Sequence, residues 1–177
     1  QGASSFQAIR DTRCAPPARW RTKLLRTLAQ AYARAPERSR VLALVEDVLA
    51  SAETHSIRDL AVVSIQKVCD YAGITTQLVP SSTVYGNAAL SGVERVLDVC
   101  RREGATTYVN AAGGRVLYDH DRFAAHGVEL LFSEAVFEPY PQLHTSEFVP
   151  GLSILDLLMH VDAADVARRL RAGREIP

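Results

Sequence analysis

The residues best suited to chemistry gather in the last part of the chain. Tyr140 and Gln142 stand two apart in Phe137-Glu138-Pro139-Tyr140-Pro141-Gln142-Leu143-His144, a run that its prolines keep extended. Side chains two apart on extended backbone point the same way, so these two could grip one ligand. Tyr140 could equally be a core residue whose hydroxyl a neighbour satisfies. His144 closes the run, and an imidazole beside polar and aromatic residues suits general acid–base work. Ser153 and Asp156 follow as an S-x-x-D pattern at the head of an apolar stretch. One reading makes Ser153 a helix cap and Asp156 an acid at the positive helix end. The other makes them a hydroxyl–carboxylate pair used in catalysis or substrate binding. Further upstream, Asn110-Ala111-Ala112-Gly113-Gly114 follows an apolar run. Backbone N–H groups in such a small-residue turn can approach an anion, although turns favour these residues anyway.

Other reactive types offer less. His55, His120, His126 and His160 have no H-x-x-x-H spacing, so no metal site is expected. His160 ends an apolar helix, where it would complement the helix dipole. Cys14, Cys69 and Cys100 form no C-x-x-C pair; they are expected to be reduced thiols of a cytoplasmic protein, with Cys69 and Cys100 buried. G-x-S-x-G, the P-loop, H-E-x-x-H and G-x-G-x-x-G are all missing from the sequence. A hydrolase with a nucleophile elbow is therefore the weakest reading, and the identity of any cofactor is unknown.

These residues need elements to hold them. Trp20, Leu24, Leu25, Leu28 and Tyr32 recur at helical spacing over residues 18–33, framed by Pro16-Pro17 and Pro36. A second helix is expected over 39–51, and the two should form a helical hairpin. A unit then repeats: helix 57–72, Gly73, strand 74–79; helix 93–103, Gly104, strand 106–109; helix 121–126, Gly127, strand 128–132. Each glycine sits where a left-handed helix stop is wanted. Helix–Gly–strand repeats predict crossovers and a parallel sheet. Helices over 151–159 and 163–171 complete the chain. The expected fold is α/β: a three-layer-like single domain with a parallel sheet, an N-terminal helical hairpin and C-terminal helices. Natural residues are expected ahead of Gln1. Ligands of open parallel sheets bind beyond the carboxyl ends of the strands, which here carry Ser81-Ser82, Asn110 to Gly114 and Ser133-Glu134.

Composition bounds the rest. The chain has 177 residues, 47% hydrophobic and 23% charged, an ordinary globular mixture. Lys plus Arg and Asp plus Glu are 20 each, so the net charge is zero, which argues against a general nucleic-acid binder. No stretch reaches the apolar length of a membrane span, and no signal peptide is recognised. Charge is unevenly placed: residues 1–40 hold nine Lys or Arg against Asp11 and Glu37, whereas 123–167 hold none. These segments could be complementary faces of one fold, or the basic one could be a wall for a phosphate-bearing ligand such as a nucleotide sugar or an acyl carrier.

Several motifs together resemble the WbqC-like protein family. They are Thr107-Tyr108-Val109-Asn110, Tyr118-Asp119, Phe123, His126-Gly127-Val128, Tyr140-x-Gln142, Phe148 and Leu152-Ser153-Ile154-Leu155-Asp156. Trp20, Tyr32-Ala33-Arg34-Ala35-Pro36 and Ser81-Ser82 extend the resemblance over about 18–170. The chain departs from the family's usual pattern at its start, at Asn110-Ala111 and at His160-Val161-Asp162. The resemblance implies a bacterial protein of surface-polysaccharide or specialised-metabolite assembly, usually supposed to be a transferase. It implies functional roles for Tyr108, Tyr118, Tyr140, Gln142, Ser153 and Asp156. With the residue reading, the expected site has Asp156, His144 and Ser153 as catalytic residues, and Tyr108, Asn110, Gly113, Gly114, Tyr118, Tyr140 and Gln142 as substrate contacts. Expected partners are a small-molecule or carrier-linked substrate, with homo-oligomers possible. A non-catalytic scaffold that docks a carrier protein or partner enzyme is the alternative.

Overall fold

The computed structural model describes residues 7–16, 20–51, 56–172 and 174–176. His55, Pro17 and the Ser5-Phe6 pair lie outside them. The chain divides into two compact units, one of Gln1–Leu78 with Phe137–Arg169, the other of Val79–Val136 with Leu170–Pro177.

The first unit is helical. Helices α1 (Arg21–Ala31) and α2 (Arg38–Ser51) form the expected hairpin. Arg38 Nε donates to the Ala29 carbonyl at 3.1 Å, and an Arg21 guanidinium nitrogen to that of Glu46 at 3.3 Å. Helix α3 (Ile57–Tyr71) starts at Ser56, whose hydroxyl accepts the Asp59 N–H at 3.4 Å. Helices α6 (Ile154–His160) and α7 (Ala163–Leu170) return near the end of the chain. Ala35, Val41, Ala72, Leu158, Met159 and Val166 form the core, with Tyr32, Tyr71, Leu143 and Ile154 packed on it.

The second unit carries the sheet. Helix α4 (Gly92–Glu103) leads to β1 (Thr107–Ala111), and α5 (His120–Ala124) to β2 (Glu129–Glu134). Strands β1 and β2 are parallel, with Tyr108 opposite Leu130 and Ala111 opposite Ser133. A strand not foreseen, β3 (Arg174–Ile176), adds antiparallel to β2. Leu97, Cys100, Phe123, Val128, Leu130 and Phe132 form a separate core. The mixed helix-and-sheet architecture is the expected α/β class.

All three helix-stop glycines are left-handed, with φ of 62°, 62° and 71° at Gly73, Gly104 and Gly127. Each makes the paired bonds of a Schellman motif. After Gly104, for example, Ala105 N–H donates to Cys100 O at 2.9 Å and Gly104 N–H to Arg101 O at 3.3 Å.

The first expected strand is not formed. Residues 74–79 are irregular, and Leu78 and Val79 are 38% and 44% exposed. Ile, Thr and Val favour extended backbone, but a strand also needs a neighbour to accept its hydrogen bonds. No strand pairs with these residues; the boundary between the units falls at Leu78 and Val79 instead. The sheet therefore contains one parallel pair rather than three successive parallel strands.

Ser81-Ser82 is accordingly not a strand end. Ser81 caps a 3₁₀ turn over Ser82–Tyr85, and Ser82 accepts from Arg95 on α4 at 3.0 Å. Buried Asn87 ties the same loop down. Its amide donates to Asp98 at 2.8 Å, and its carbonyl accepts from Arg95 Nε at 3.1 Å. Arg101, Asn87 and Arg102, in that order, hold the Asp98 carboxyl at about 2.

Candidate functional site

Pro150 and Gly151 turn the chain into α6, and Ser153 caps that helix. Its Oγ accepts the Leu155 N–H at 3.3 Å, the capping geometry of the first reading. Asp156, in the first turn, is 7% exposed. Burying a carboxylate without hydrogen bonds is costly, and here three side chains supply them. Tyr32 Oη donates to Oδ1 at 3.0 Å, and Tyr140 Oη donates to Oδ2 at 2.8 Å. Gln142 Nε2 donates to Oδ2 at 3.2 Å. All three donors are neutral, and no Lys or Arg pairs with Asp156 among the described residues.

The donors are themselves fixed. Gln142 grips the backbone of Val149 with both ends of its amide: Nε2 donates to Val149 O at 3.0 Å and Oε1 accepts Val149 N–H at 2.8 Å. That clamp closes the loop between them. Phe148, inside the loop, packs edge-on against the Tyr140 ring at 5.2 Å. Arg169 places its guanidinium over the Tyr140 ring, 5.6 Å from its centroid, and donates to the Glu138 carbonyl at 2.8 Å. Burial, aided by the Asp156 carboxylate, pushes the Tyr32 phenol up to about 12. Burial is also the largest cause raising Tyr140. Both phenols therefore remain protonated donors at neutral pH.

His160 rather than His144 joins this cluster. Its side chain is 4% exposed, and Nε2 accepts the Leu143 N–H at 3.1 Å. An imidazole nitrogen that accepts an N–H carries no proton, so the hydrogen-bond pattern assigns the proton to Nδ1. Nδ1 faces the Asp156 carbonyl oxygen, one turn back along α6, at 2.7 Å and lies 3.7 Å from Oδ2. His160 thus completes the end of α6, but as a hydrogen-bonding imidazole. Tyr32 contacts its ring edge-on at 5.8 Å. His144 is exposed, with φ of 62° in the left-handed region.

The remaining expected site residues lie in the second unit. Tyr108 stacks on Phe123 at 5.3 Å, and Tyr118 meets both rings edge-on at 5.8 and 5.7 Å. Burial, then a hydrogen bond with Tyr118, raises the Tyr108 phenol. Asn110 turns its side chain along the chain, Oδ1 accepting the Ala111 N–H at 2.7 Å. Gly113 and Gly114 are not an open loop; they lie in a 3₁₀ turn, Ala112–Leu117. The parallel register does bring this turn and Ser133 to one rim of the sheet. Tyr140, Gln142 and Asp156 belong to the other unit.

Sequence spacing pointed to Tyr140, Gln142 and Asp156 but missed Tyr32 and His160 as their partners. Tyr32 is 124 residues from Asp156, so local spacing cannot pair them. The available signal was its place in the Tyr32-Ala33-Arg34-Ala35-Pro36 run. Burial also sorts the thiols: Cys100 is buried and its thiol raised, while Cys14 and Cys69 are half-buried. Among the described residues, no three His, Cys, Asp or Glu side chains are grouped to hold a metal ion. No described helix is long and apolar enough to cross a membrane.

Fold and cluster together describe a mixed α/β protein with a buried carboxylate built from the Tyr-x-Gln, Phe and Ser-Ile-Leu-Asp motifs. Residues 1–168 match the WbqC-like protein family, and the chain belongs to that family. It is 32% identical over 100 residues to the uncharacterized protein Rv1507c of Mycobacterium tuberculosis (strain ATCC 25618 / H37Rv). That match spans 56% of this chain and 42% of the relative's length. No solved structure matches the chain.

Proposed function

We propose that the chain is a WbqC-like biosynthetic enzyme of the cytoplasm, a group transferase of acyl or aminoacyl type. Its acceptor is an amine of a sugar or small metabolite in polysaccharide or natural-product assembly. The supporting observation is the Asp156 carboxylate, buried on neutral donors with no Lys or Arg partner among the described residues. An uncompensated buried carboxylate favours a positive group beside it, and the ammonium of an amine acceptor supplies one. In this reading Asp156 first takes a proton from the ammonium, which frees the nitrogen lone pair; the amine then attacks the donor's acyl carbon, the new C–N bond forms, and the acyl–leaving-group bond breaks with the leaving group taking up the second proton of the nitrogen. Tyr140 and Gln142 hold the carboxylate in register. Ser153 and His144 are assigned supporting roles on the same segment. In the second unit, Asn110, Gly113 and Gly114, with Tyr108 and Tyr118, are proposed by themselves as contacts of a small-molecule or carrier-linked substrate.

A scaffold that docks a carrier protein or partner enzyme is favoured by a different observation. Tyr32, Tyr140 and Gln142 already occupy the carboxylate, and Gln142 is also committed to Val149. Such a network can serve only to fix a loop. Asp156→Asn, which keeps shape and removes charge, separates the two. A host deleted for this gene is complemented with the native or the variant chain, and its acylated amines are compared. The enzyme reading expects a folded variant that restores less than about a hundredth of the product, in line with loss of a general base. Full restoration by Asp156→Asn would leave the scaffold.

A further inference from the structure

The segment 144–152 is anchored at its two ends and lightly tied between them. Leu143, just before it, packs on the core of the first unit and gives its N–H to His160 Nε2 at 3.1 Å. Ser153, just after it, caps α6, and Ile154 packs on the same core. His144 and Gly151 lie inside these posts in the left-handed region, with φ of 62° and 71°. Every residue of the segment except Phe148 is exposed. Among the described residues, its backbone bonds the rest of the unit only at Val149, and both bonds go to the Gln142 amide. Thr145 and Glu147 bond each other. Phe148 adds its ring contact with Tyr140.

Gln142 is therefore a joint. Its Nε2 donates outward to Val149 O at 3.0 Å and inward to Asp156 Oδ2 at 3.2 Å. The outer partner, Val149, is 44% exposed and the inner one 7%. The amide that positions the loop is thus itself positioned by the carboxylate. The three donors to Asp156 are not held alike. Tyr32 packs on the core, and Tyr140 is contacted by Phe148 and by the Arg169 guanidinium. Gln142 makes the longest of the three bonds, and its other bonds go to an exposed loop. It is the donor that can leave. An ammonium in its place gains the attraction of opposite charges at a site of low exposure, which a neutral amide cannot supply.

We infer that residues 144–152 form a gate at Asp156, and that Gln142 couples the gate to the carboxylate. An ammonium arriving at Oδ2 displaces the Gln142 amide; the loop, then tied only to a free side chain, opens about His144 and Gly151. When the ammonium leaves, the carboxylate takes Gln142 back and the loop closes. The coupling is reciprocal: the open loop favours the ammonium by the factor that the ammonium favours the open loop. This gate rests on the reading in which Asp156 receives an amine. A loop fixed only for docking would hold its bonds whatever met Asp156.

Amide hydrogen exchange of the full chain, followed residue by residue by NMR, tests the gate. Methylammonium chloride is the probe, with equal sodium chloride at the same pH as the control. Without the probe, the Val149 N–H should exchange at least a hundredfold faster than those of buried Val41 and Val45 in α2, relative to intrinsic rates, because it opens locally. Methylammonium should speed Val149 exchange a further threefold or more and leave Leu143, outside the hinge, unchanged. In Asp156→Asn the methylammonium effect should vanish. Val149 exchange as slow as that of α2 would overturn the inference. So would a Val149 rate that methylammonium leaves unchanged or lowers, or one that it raises equally in Asp156→Asn. The first two of these outcomes come from the native chain, so the test stands even if the variant misfolds. Exchange is read without donor or product. Full product from Asp156→Asn would therefore remove the transferase reading, while the native chain's exchange still decides the gate.

Discussion

A buried hydroxyl stabilises or destabilises according to what it meets, and the tyrosines of the first unit show both cases. Tyr140 Oη donates to a buried carboxylate at 2.8 Å, whereas Tyr71 Oη is buried with no partner among the described residues. Hydrogen bonds to charged groups contribute about 1.5–3 kcal/mol, and an unsatisfied buried hydroxyl costs about 1–3 kcal/mol. Denaturant unfolding should therefore show Tyr140→Phe destabilised by about 2 kcal/mol, and Tyr71→Phe unchanged or more stable by about 1 kcal/mol. A destabilised Tyr71→Phe would mean that its hydroxyl has a partner. The same contrast separates His144 from His160. Both stand in the same stretch of sequence, but only the nitrogens of His160 meet a backbone donor and a backbone acceptor.

Among the elements, the turn after β1 is constrained by side-chain packing at one glycine. A Cβ added to Gly114 would come within 2.9 Å of Asn110 Nδ2 and 3.1 Å of its Cγ, while one on Gly113 meets nothing within 4 Å. Gly114 thus packs against the Asn110 side chain, which would have to leave its bond with the Ala111 N–H to admit a Cβ. Gly114→Ala should cost about 1–3 kcal/mol, the usual cost of overpacking. Gly113→Ala should be neutral or gain up to about 1 kcal/mol by restricting the unfolded chain. Thermal melts of the two variants check this, and equal melting temperatures would refute it. The sequence suggested that both glycines keep the backbone open for an anion. The structure gives one of them a steric duty that composition alone does not reveal.

For the whole molecule, a single domain is still the proposal, and the two cores make it testable. Phe123 is fully buried in one core and Met159 in the other. Calorimetry should give one transition whose calorimetric and van't Hoff enthalpies agree. Truncating either residue to Ala, at about 2–5 kcal/mol each, should shift that single transition. Two transitions, with Phe123→Ala moving one and Met159→Ala the other, would replace the proposal with two folding units.

Much of the fold was legible because it rests on interactions that span a few residues. The helical periodicity of α1 to α7, the Ser153 cap and the glycine stops at 73, 104 and 127 involve partners at most five positions apart. Long-range pairing was not legible. Residues 74–79 have strand-forming side chains but lack a neighbour, and the short β3 exists only because β2 offers it an edge. Tyr-x-Gln and Ser-x-x-Asp were visible as patterns. That Asp156 binds Tyr140, Gln142 and the distant Tyr32 at once, and that its neighbouring imidazole is His160, followed only from packing α6 and the turn after α1 around one core. Local sequence sets backbone preference within a turn or two, whereas a buried carboxylate takes its donors from whichever segments the hydrophobic core brings within about 3 Å.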